Sequence, residues 1–261
     1  MRWIRLLAAT AACLSAQVPA FNDAGIALGH VHLMVKDPDA QKKVWMDVLG
    51  ATETAAGNLK MLKLPGIFIV IGKAEPTGGS NGSTMNHVGF LVKSYDDVKA
   101  KLVAANIKLD VDSAQNKQVI CTFPDDVRVE FNEDASIAQP VTMHHMHLSI
   151  PDTEGLRAWY VKTFSATAGS RRNLPAAMFP GGEVDFLKAR EAQAPTKGRS
   201  LDHIGFEVKD LETFMKKLEA DGVTIDMKTR DMRQQIGLKI AFILDPVGTR
   251  IELTEGLVNV K

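Results

Sequence analysis

The chain has 261 residues, of which 45% are hydrophobic and 24% are charged. These ordinary values exclude wholesale disorder and allow either one large domain or two modest ones. Basic and acidic residues number 31 each, and no Lys- or Arg-rich run stands out. We therefore expect no nucleic-acid partner and favour a small-molecule ligand, bound by a monomer or a homodimer.

The first twenty residues have the pattern of a secretory signal peptide. Arg2 and Arg5 form a positive start, an apolar run follows at residues 6–14, and small residues precede position 21. The run is too short to span a bilayer. We expect residues 1–20 to be removed and the mature protein to be periplasmic or secreted, with no membrane association. A lipoprotein attached through Cys13 is the alternative, disfavoured because residues 10–13 form a poor lipobox.

Four segments of the chain resemble one another. They read HVHLMVKD from His30, HVGFLVKS from His87, HMHLSIPD from His145 and HIGFEVKD from His203, at spacings of 57, 58 and 58 residues. Each alternates with period two, which is typical of a half-buried strand. The starting histidines therefore lie on the strand face opposite the aliphatic residues.

A helix is predicted after each of these strands. Asp37 is placed to cap the first helix and Gly50 to end it. The other three helices are predicted to follow Ser94, Asp152 and Asp210. Short β-like runs broken by Gly, Asn and Pro come after each helix. The sequence thus predicts an α+β fold of four βαβββ modules.

The two halves of the chain also match each other. Adding 115 to the residue number carries His30 to His145 and Pro65 to Pro180, and the polar residues 134–140 separate the halves. We predict an N-terminal domain at 26–134 and a C-terminal domain at 141–257, each of two modules. The sequence leaves open which modules share a sheet, and modules one with four and two with three is the alternative pairing.

Two glutamates recur where the last strand of a module is expected. Glu130 and Glu252 each lie six residues after a proline and two after an arginine, Arg128 or Arg250. A carboxylate on the inner face of a sheet needs a cation or hydrogen bonds. Neutral imidazoles with a carboxylate suit a divalent metal that keeps positions open for substrate. The competing interpretation is that the two arginines neutralise the glutamates.

These motifs resemble those of the vicinal oxygen chelate superfamily, which includes glyoxalase I, bleomycin resistance proteins, methylmalonyl-CoA epimerase and extradiol dioxygenases. The HxxLxVxD opening, the helix ending in Leu49-Gly50 and the closing PxGxxxE carry the resemblance, which extends over residues 26–257. It implies two glyoxalase/bleomycin resistance/dioxygenase-like domains. Their U-shaped mixed sheets would bring first-strand histidines and last-strand glutamates onto a metal.

The resemblance implies metal ligands by position. In the C-terminal half they are His145, Asp185, His203 and Glu252, and in the N-terminal half His30, His87 and Glu130. The alternative module pairing would instead group His30 with His203 and Glu252, and His87 with Glu130, His145 and Asp185. Val70 stands at the position equivalent to Asp185. Asp185 and Glu252 are also candidate catalytic residues, while His147, like His32, is a candidate for supporting ligands or transferring a proton.

A metal that holds two adjacent substrate oxygens can act as a Lewis acid, or can activate oxygen if it is iron. We expect first a glyoxalase-like (lactoylglutathione lyase-like) lyase or isomerase using Zn, Ni, Co, Mn or Fe. An extradiol ring-cleavage dioxygenase with a 2-His-1-carboxylate iron site is second. That family's tyrosine ten residues before the glutamate corresponds here to Phe242, and its upstream histidine to Lys239 or Gln235. A non-catalytic, ligand-sequestering protein is third, since such proteins typically lack the metal ligands.

Overall fold

The computed structural model describes residues 18–260, so most of the predicted signal segment 1–20, including Cys13, lies outside the described residues. Module one comprises β1 (Ile26–Val35), α1 (Pro38–Leu49), β2 (Thr52–Ala56), β3 (Leu59–Leu64) and β4 (Ile67–Lys73). Module two comprises β5 (Met85–Val92), α2 (Tyr95–Ala104), β6 (Lys108–Ser113), β7 (Gln118–Phe123) and β8 (Val127–Glu133). Module three comprises β9 (Val141–Ile150), α3 (Thr153–Phe164), β10 (Thr167–Arg171), β11 (Leu174–Phe179) and β12 (Gly182–Lys188). Module four comprises β13 (Leu201–Val208), α4 (Leu211–Ala220), β14 (Thr224–Met232), the short α5 (Arg233–Ile236), β15 (Leu238–Leu244) and β16 (Arg250–Glu255).

The helices begin where the sequence predicts. The Asp37 carboxylate accepts hydrogen bonds from the backbone N–H groups of Asp39 and Ala40, which α1 cannot satisfy internally. Ser94 accepts one from Asp97 at the start of α2. Gly50 ends α1 with a φ of 72°, a left-handed conformation that costs glycine little. Within residues 18–260, no helix is long and apolar enough to cross a membrane.

The strands form two mixed sheets of eight strands each, and the α+β class with four βαβββ modules is confirmed. The first sheet has the order β14-β15-β16-β13-β1-β4-β3-β2, and the second has the order β10-β11-β12-β9-β5-β8-β7-β6. The first sheet therefore joins modules one and four, and the second sheet joins modules two and three. The predicted boundary between the halves at 134–140 consequently does not separate the two sheets.

The centre of each sheet has the same pairing pattern. The first strand of a module runs parallel to the last strand of its own module and antiparallel to the first strand of the partner module. The aliphatic residues of these central strands, such as Val31 and Val88, join the core with residues of all four main helices. The histidines consequently face away from that core.

Candidate metal centres

Three side chains from modules one and four meet on the first sheet. Glu252 on β16 places Oε2 2.9 Å from Nε2 of His30 and 2.8 Å from Nε2 of His203. Gly205 is paired with His30 on one side and with Glu252 on the other, so these two side chains converge above it. All three residues are buried, and their donor atoms lie within 4.8 Å of one another. We call His30, His203 and Glu252 the terminal site.

A carboxylate orients one imidazole of the terminal site. Nδ1 of His203 donates a hydrogen bond to Oδ1 of Asp202 at 2.5 Å, which directs Nε2 of the ring toward Glu252. Arg250 holds Asp202 in turn, with 3.0 Å between Nη1 and Oδ1, and also pairs with Asp226. A carboxylate behind the imidazole is the usual support of a metal-binding histidine.

Four side chains from modules two and three meet in the same way on the second sheet. Glu130 on β8 places Oε2 2.7 Å from Nε2 of His87 and 3.5 Å from Nε2 of His145. Nδ1 of His147 lies 2.7 Å from the same His87 nitrogen and 3.8 Å from Glu130 Oε2. The four donor atoms lie within 4.8 Å of one another, and all four residues are buried. We call His87, Glu130, His145 and His147 the central site.

Burial keeps most of these imidazoles neutral. It is the main reason that the pKa is lowered from 6.5 to about 3 for His32, about 3 for His145 and about 2 for His147. Burial also dominates the lowered pKa of His87. A neutral imidazole has a lone pair available for a metal ion at neutral pH.

The glutamates are held in the charged form. Burial raises the pKa of each, but the close contacts of His145 and His87 with Glu130 outweigh it, and the pKa of Glu130 lies well below 4.5. Glu252 behaves likewise through His203 and His30. For His203, burial is outweighed by the contacts with Asp202 and Glu252, and its pKa is raised.

The topology decides which predicted ligands meet. His145 and Asp185 lie on the second sheet, whereas His203 and Glu252 lie on the first, so the four predicted ligands of the C-terminal half do not form one site. The structure has the alternative pairing. Both groups still contain two first-strand histidines and one last-strand glutamate, as expected for either pairing.

Asp185 lies beside the central site and is not one of its four clustered donors. Its Oδ2 is 3.2 Å from Nη1 of Arg171 and 3.5 Å from Nε2 of His147. Burial, with the nearby Glu183 adding to it, raises the pKa of Asp185 to about 7. His147 offers the fourth donor of the cluster, so its position suits a ligand as well as the supporting role predicted for it. Ligation by Asp185 stays a prediction, as do its catalytic role and that of His147.

The arginines that could have neutralised the glutamates have other contacts. Arg128 donates to Oδ1 of Asn86 at 2.8 Å, and Arg250 pairs with Asp202 and Asp226. Among the described residues, the arginine that reaches a site glutamate is Arg171, whose Nη2 lies 3.4 Å from Oε1 of Glu130.

Sequence reasoning missed several neighbours of the two sites. Asn86 and Asp202 each precede a first-strand histidine, and this equivalence of position was a signal that could have revealed them. His144 is a further neighbour: the register of β5 and β9 shifts between Gly89 and Phe90, and Nδ1 of His144 lies 2.9 Å from Nδ1 of His145. Arg171 lies on β10 of module three, whereas Glu130 lies on β8 of module two, and no local sequence pattern connects the two residues.

Both groups suit a divalent transition metal. Nε2 of His145 is buried without a hydrogen-bond partner although Oε2 of Glu130 is 3.5 Å away. In the terminal site, two imidazole nitrogens converge on one oxygen of Glu252. Clusters of nitrogen and oxygen donors of this kind suit the ligand preferences of Zn, Ni, Co, Mn or Fe. His30, His203 and Glu252 would hold an ion in one site, and the four central residues would hold one in the other.

Comparisons with known proteins agree with this architecture. Residues 142–253 match the model of the Glyoxalase/Bleomycin resistance protein/Dioxygenase superfamily. No curated protein is significantly similar in sequence. Glyoxalase I from Zea mays is similar in fold, with a TM-score of 0.68 and 13% identity over 90% of this chain and 94% of that chain. A putative dioxygenase from Bacillus subtilis has a TM-score of 0.64 and 12% identity over 92% of this chain and 86% of that chain.

These likenesses below 25% identity concern the fold. They agree with the four modules and the two mixed sheets of this chain. Residues 142–253 thus form a domain of the Glyoxalase/Bleomycin resistance protein/Dioxygenase superfamily, also called the vicinal oxygen chelate superfamily.

Proposed function

We propose that the protein is a metal-dependent, glyoxalase-like lyase or isomerase whose reaction takes place at the terminal site. Glu252 carries this proposal. Its Oε2 is shared by His30 and His203, while no hydrogen bond is made to Oε1 within residues 18–260. A carboxylate oxygen that is free beside the substrate can take a proton from a carbon next to a carbonyl and return it elsewhere.

The donor count of the terminal site suits a bound substrate. His30, His203 and Glu252 supply three donors, and a metal with three protein ligands keeps positions open for other oxygens. A substrate with two adjacent oxygens would fill these positions. The ion would polarise those oxygens as a Lewis acid.

The walls on this face of the first sheet are apolar. Phe68 and Val70 are paired with His30 and His32, so they share the face of the terminal site, and they contact Met61 and Leu238. The two arms of the sheet meet where the N–H of Asn58 donates to the carbonyl of Gln235 at 2.8 Å. Apolar walls exclude water and strengthen the electrostatic interactions of a substrate with the site.

A second candidate is an extradiol-type oxygenase at the same three residues. The ligand set of the terminal site favours this candidate, because two histidines and one carboxylate with open positions are the facial triad of non-haem iron oxygenases. The residue paired with Glu252 is Phe242, which has no hydroxyl group to move a proton. This favours lyase or isomerase chemistry over ring cleavage.

The test is an assay of metal-loaded protein with and without oxygen. We expect turnover of a 2-oxoaldehyde–thiol adduct under anaerobic conditions with Zn, Ni, Co or Mn, and loss of it in His30→Ala. Oxygen uptake with a catechol and iron, abolished by the same substitution, would replace the first candidate by the second. Tight ligand binding without turnover would instead indicate a ligand-sequestering protein.

We also propose that the protein acts outside the cytoplasm. The proposal depends on the signal-like residues 1–20, with their positive start and short apolar run. Amino-terminal sequencing of the mature protein should find Phe21 as the first residue. Retention of Met1 would contradict export through this segment, and sedimentation of the same sample would distinguish a monomer from a homodimer.

A further inference from the structure

The two outermost hairpins of the first sheet touch each other. The turn after β2 lies against α5, which follows β14, and the N–H of Asn58 donates to the carbonyl of Gln235 at 2.8 Å. A Cβ on Gly57 would stand 2.5 Å from that carbonyl oxygen, so the approach requires glycine. Ile236 of α5 packs onto the apolar cluster around Phe68. The sheet therefore closes into a ring around the terminal site, and we call the contact of Gly57 and Asn58 with α5 the clasp.

The turn that follows β16 supports the clasp from behind. A Cβ on Gly256 would stand 2.8 Å from the carbonyl oxygen of Gly237, the residue that ends α5. Oε1 of Glu207 on β13 accepts hydrogen bonds from the backbone N–H groups of Gly256 at 2.8 Å and Val258 at 3.2 Å. Leu257 between them is buried in the same apolar cluster as Phe68. Glu207 thus holds this turn against α5.

The second sheet has different residues at each of these positions. Arg172, which is exposed, is the equivalent of Gly57 (172 = 57 + 115). A turn of four residues, 114–117, joins β6 to β7 where module four has α5. Leu91 stands in HVGFLVKS where Glu207 stands in HIGFEVKD, and leucine cannot accept a hydrogen bond. Within residues 18–260, no backbone hydrogen bond joins the turn at Arg172 to the turn before β7. The clasp is therefore a feature of the first sheet.

The space that the clasp closes is apolar. His30, His203 and Glu252 are 3%, 2% and 8% exposed, so a ligand of an ion held by them must be enclosed by the protein. The buried side chains of the surrounding cluster have no charged groups, and they are Ala56, Met61, Phe68, Val70, Leu238 and Leu257. Burial of a charged group among such residues is costly, whereas burial of an apolar group is favourable.

We propose that the clasp selects the ligands of the terminal site. The site takes a molecule in which two adjacent oxygens carry a compact apolar group, and it excludes charged groups and groups too bulky to be enclosed. Ile236 and Glu207 are the specificity-determining residues, since Ile236 closes the space and Glu207 holds the turn behind α5. Entry requires α5 to move away from Gly57, as loops over active sites do. The proposal rests on the proposed function in one respect, that the ligand binds an ion held by the terminal site.

The test measures which chelators reach Co²⁺ in the full chain. Hydroxamates bind metals through two adjacent oxygens, and the visible spectrum of Co²⁺ reports their binding. The spectral change that is absent in His30→Ala belongs to the terminal site. We expect this site to bind butyrohydroxamate, and to discriminate against the monohydroxamate of succinate, which carries a carboxylate, and against the bulky naphthohydroxamate. Equal affinity for all three would overturn the proposal.

Two variants should loosen the clasp in different ways. Glu207→Leu copies Leu91 of the second sheet, and Ile236→Ala removes the apolar contact of α5. We expect each to raise the affinity for naphthohydroxamate by about 10-fold or more, because more molecules are open. The control is Gln234→Ala, at an exposed position of α5, which should change nothing.

Hydrogen exchange of the metal-free protein tests the clasp without any ion. The amide of Asn58 should exchange faster in Ile236→Ala than in the wild type or in Gln234→Ala, because its hydrogen bond to Gln235 breaks more often. Unchanged exchange and unchanged chelator affinities in the folded variants would overturn the proposal.

The same measurements separate this proposal from the proposed function. Selective chelator binding without turnover of any 2-oxoaldehyde adduct would contradict the lyase or isomerase activity and support the clasp. Turnover without selectivity among the chelators would do the reverse. If no Co²⁺ signal depends on His30, both proposals are wrong.

Discussion

The ring of His145 lies over Gly89 of the neighbouring strand, so closely that a Cβ on Gly89 would stand 1.9 Å from Cε1 of the ring. Gly205 and His30 repeat this relationship at 2.1 Å. The glycine is the third residue of HVGF or HIGF, where modules one and three have a histidine. In each sheet, one of the two central first strands therefore has a second histidine at this position. The other has a glycine, which leaves room for the imidazole that packs over it.

Alanine at these glycines should disturb one site at a time. In Gly205→Ala the added methyl group occupies the space of the His30 ring, so the terminal site should lose metal affinity and activity. Gly89→Ala should do the same to the central site through His145. Calorimetric titration of each metal-free variant with Zn²⁺ measures the metal affinity of both sites, and each variant serves as the control for the other. Normal binding at both sites in either variant would contradict the close packing of ring on glycine.

Asp202 should matter for metal binding through His203. Asp202→Asn removes the carboxylate that orients the imidazole, and we expect the affinity of the terminal site to fall by about 10- to 100-fold. The matched control is Asp226→Asn, which removes the other carboxylate partner of Arg250 without touching His203. If both variants lose the same affinity, the effect comes from Arg250 and the assignment to Asp202 is wrong.

The metal-free protein should lose stability as the pH falls below about 6.5. His32, His145 and His147 have pKa values lowered to about 3, 3 and 2. Between pH 6.5 and those values the unfolded chain binds protons that the folded chain does not. Each of these histidines therefore lowers the free energy of unfolding by up to about 1.4 kcal/mol per pH unit. Asp185, with a pKa raised from 3.8 to about 7, acts in the opposite direction between these two pH values.

Urea unfolding of metal-free protein at pH 7 and pH 5 checks this dependence. The midpoint should be lower at pH 5, and His32→Asn should make the difference smaller because one titrating group is removed. A midpoint that is equal or higher at pH 5 would mean that carboxyl groups with raised pKa values, such as Asp185, outweigh these histidines.

Trp45 should contribute strongly to the stability of the core. It is fully buried on α1 and contacts the rings of Phe90 and Phe123, so it joins module one to module two. We expect Trp45→Ala to reduce the free energy of unfolding by about 3–5 kcal/mol. Met46→Ala, at the adjacent position that is 39% exposed, should change it by less than about 0.5 kcal/mol. Equal effects in urea unfolding would contradict the packing.

Local patterns predicted much of the fold. The period-two alternation from His30, His87, His145 and His203 placed all four histidines opposite the aliphatic face, and capping residues such as Asp37 located the helices. Predictions of this kind succeed because strand alternation and helix capping depend on residues only a few positions apart.

The composition of each site depended on contacts between distant parts of the chain. His30 and Glu252 are 222 residues apart, and only the antiparallel pairing of β1 with β13 brings them together. The same holds for Arg171 and Glu130, which lie in different modules. The sequence alone determined the four modules, the strand face that carries the histidines, and the choice of histidine and glutamate as ligand types. Tertiary structure decided which ligands share a site, because side chains from separate strands converge only where the sheet register aligns them.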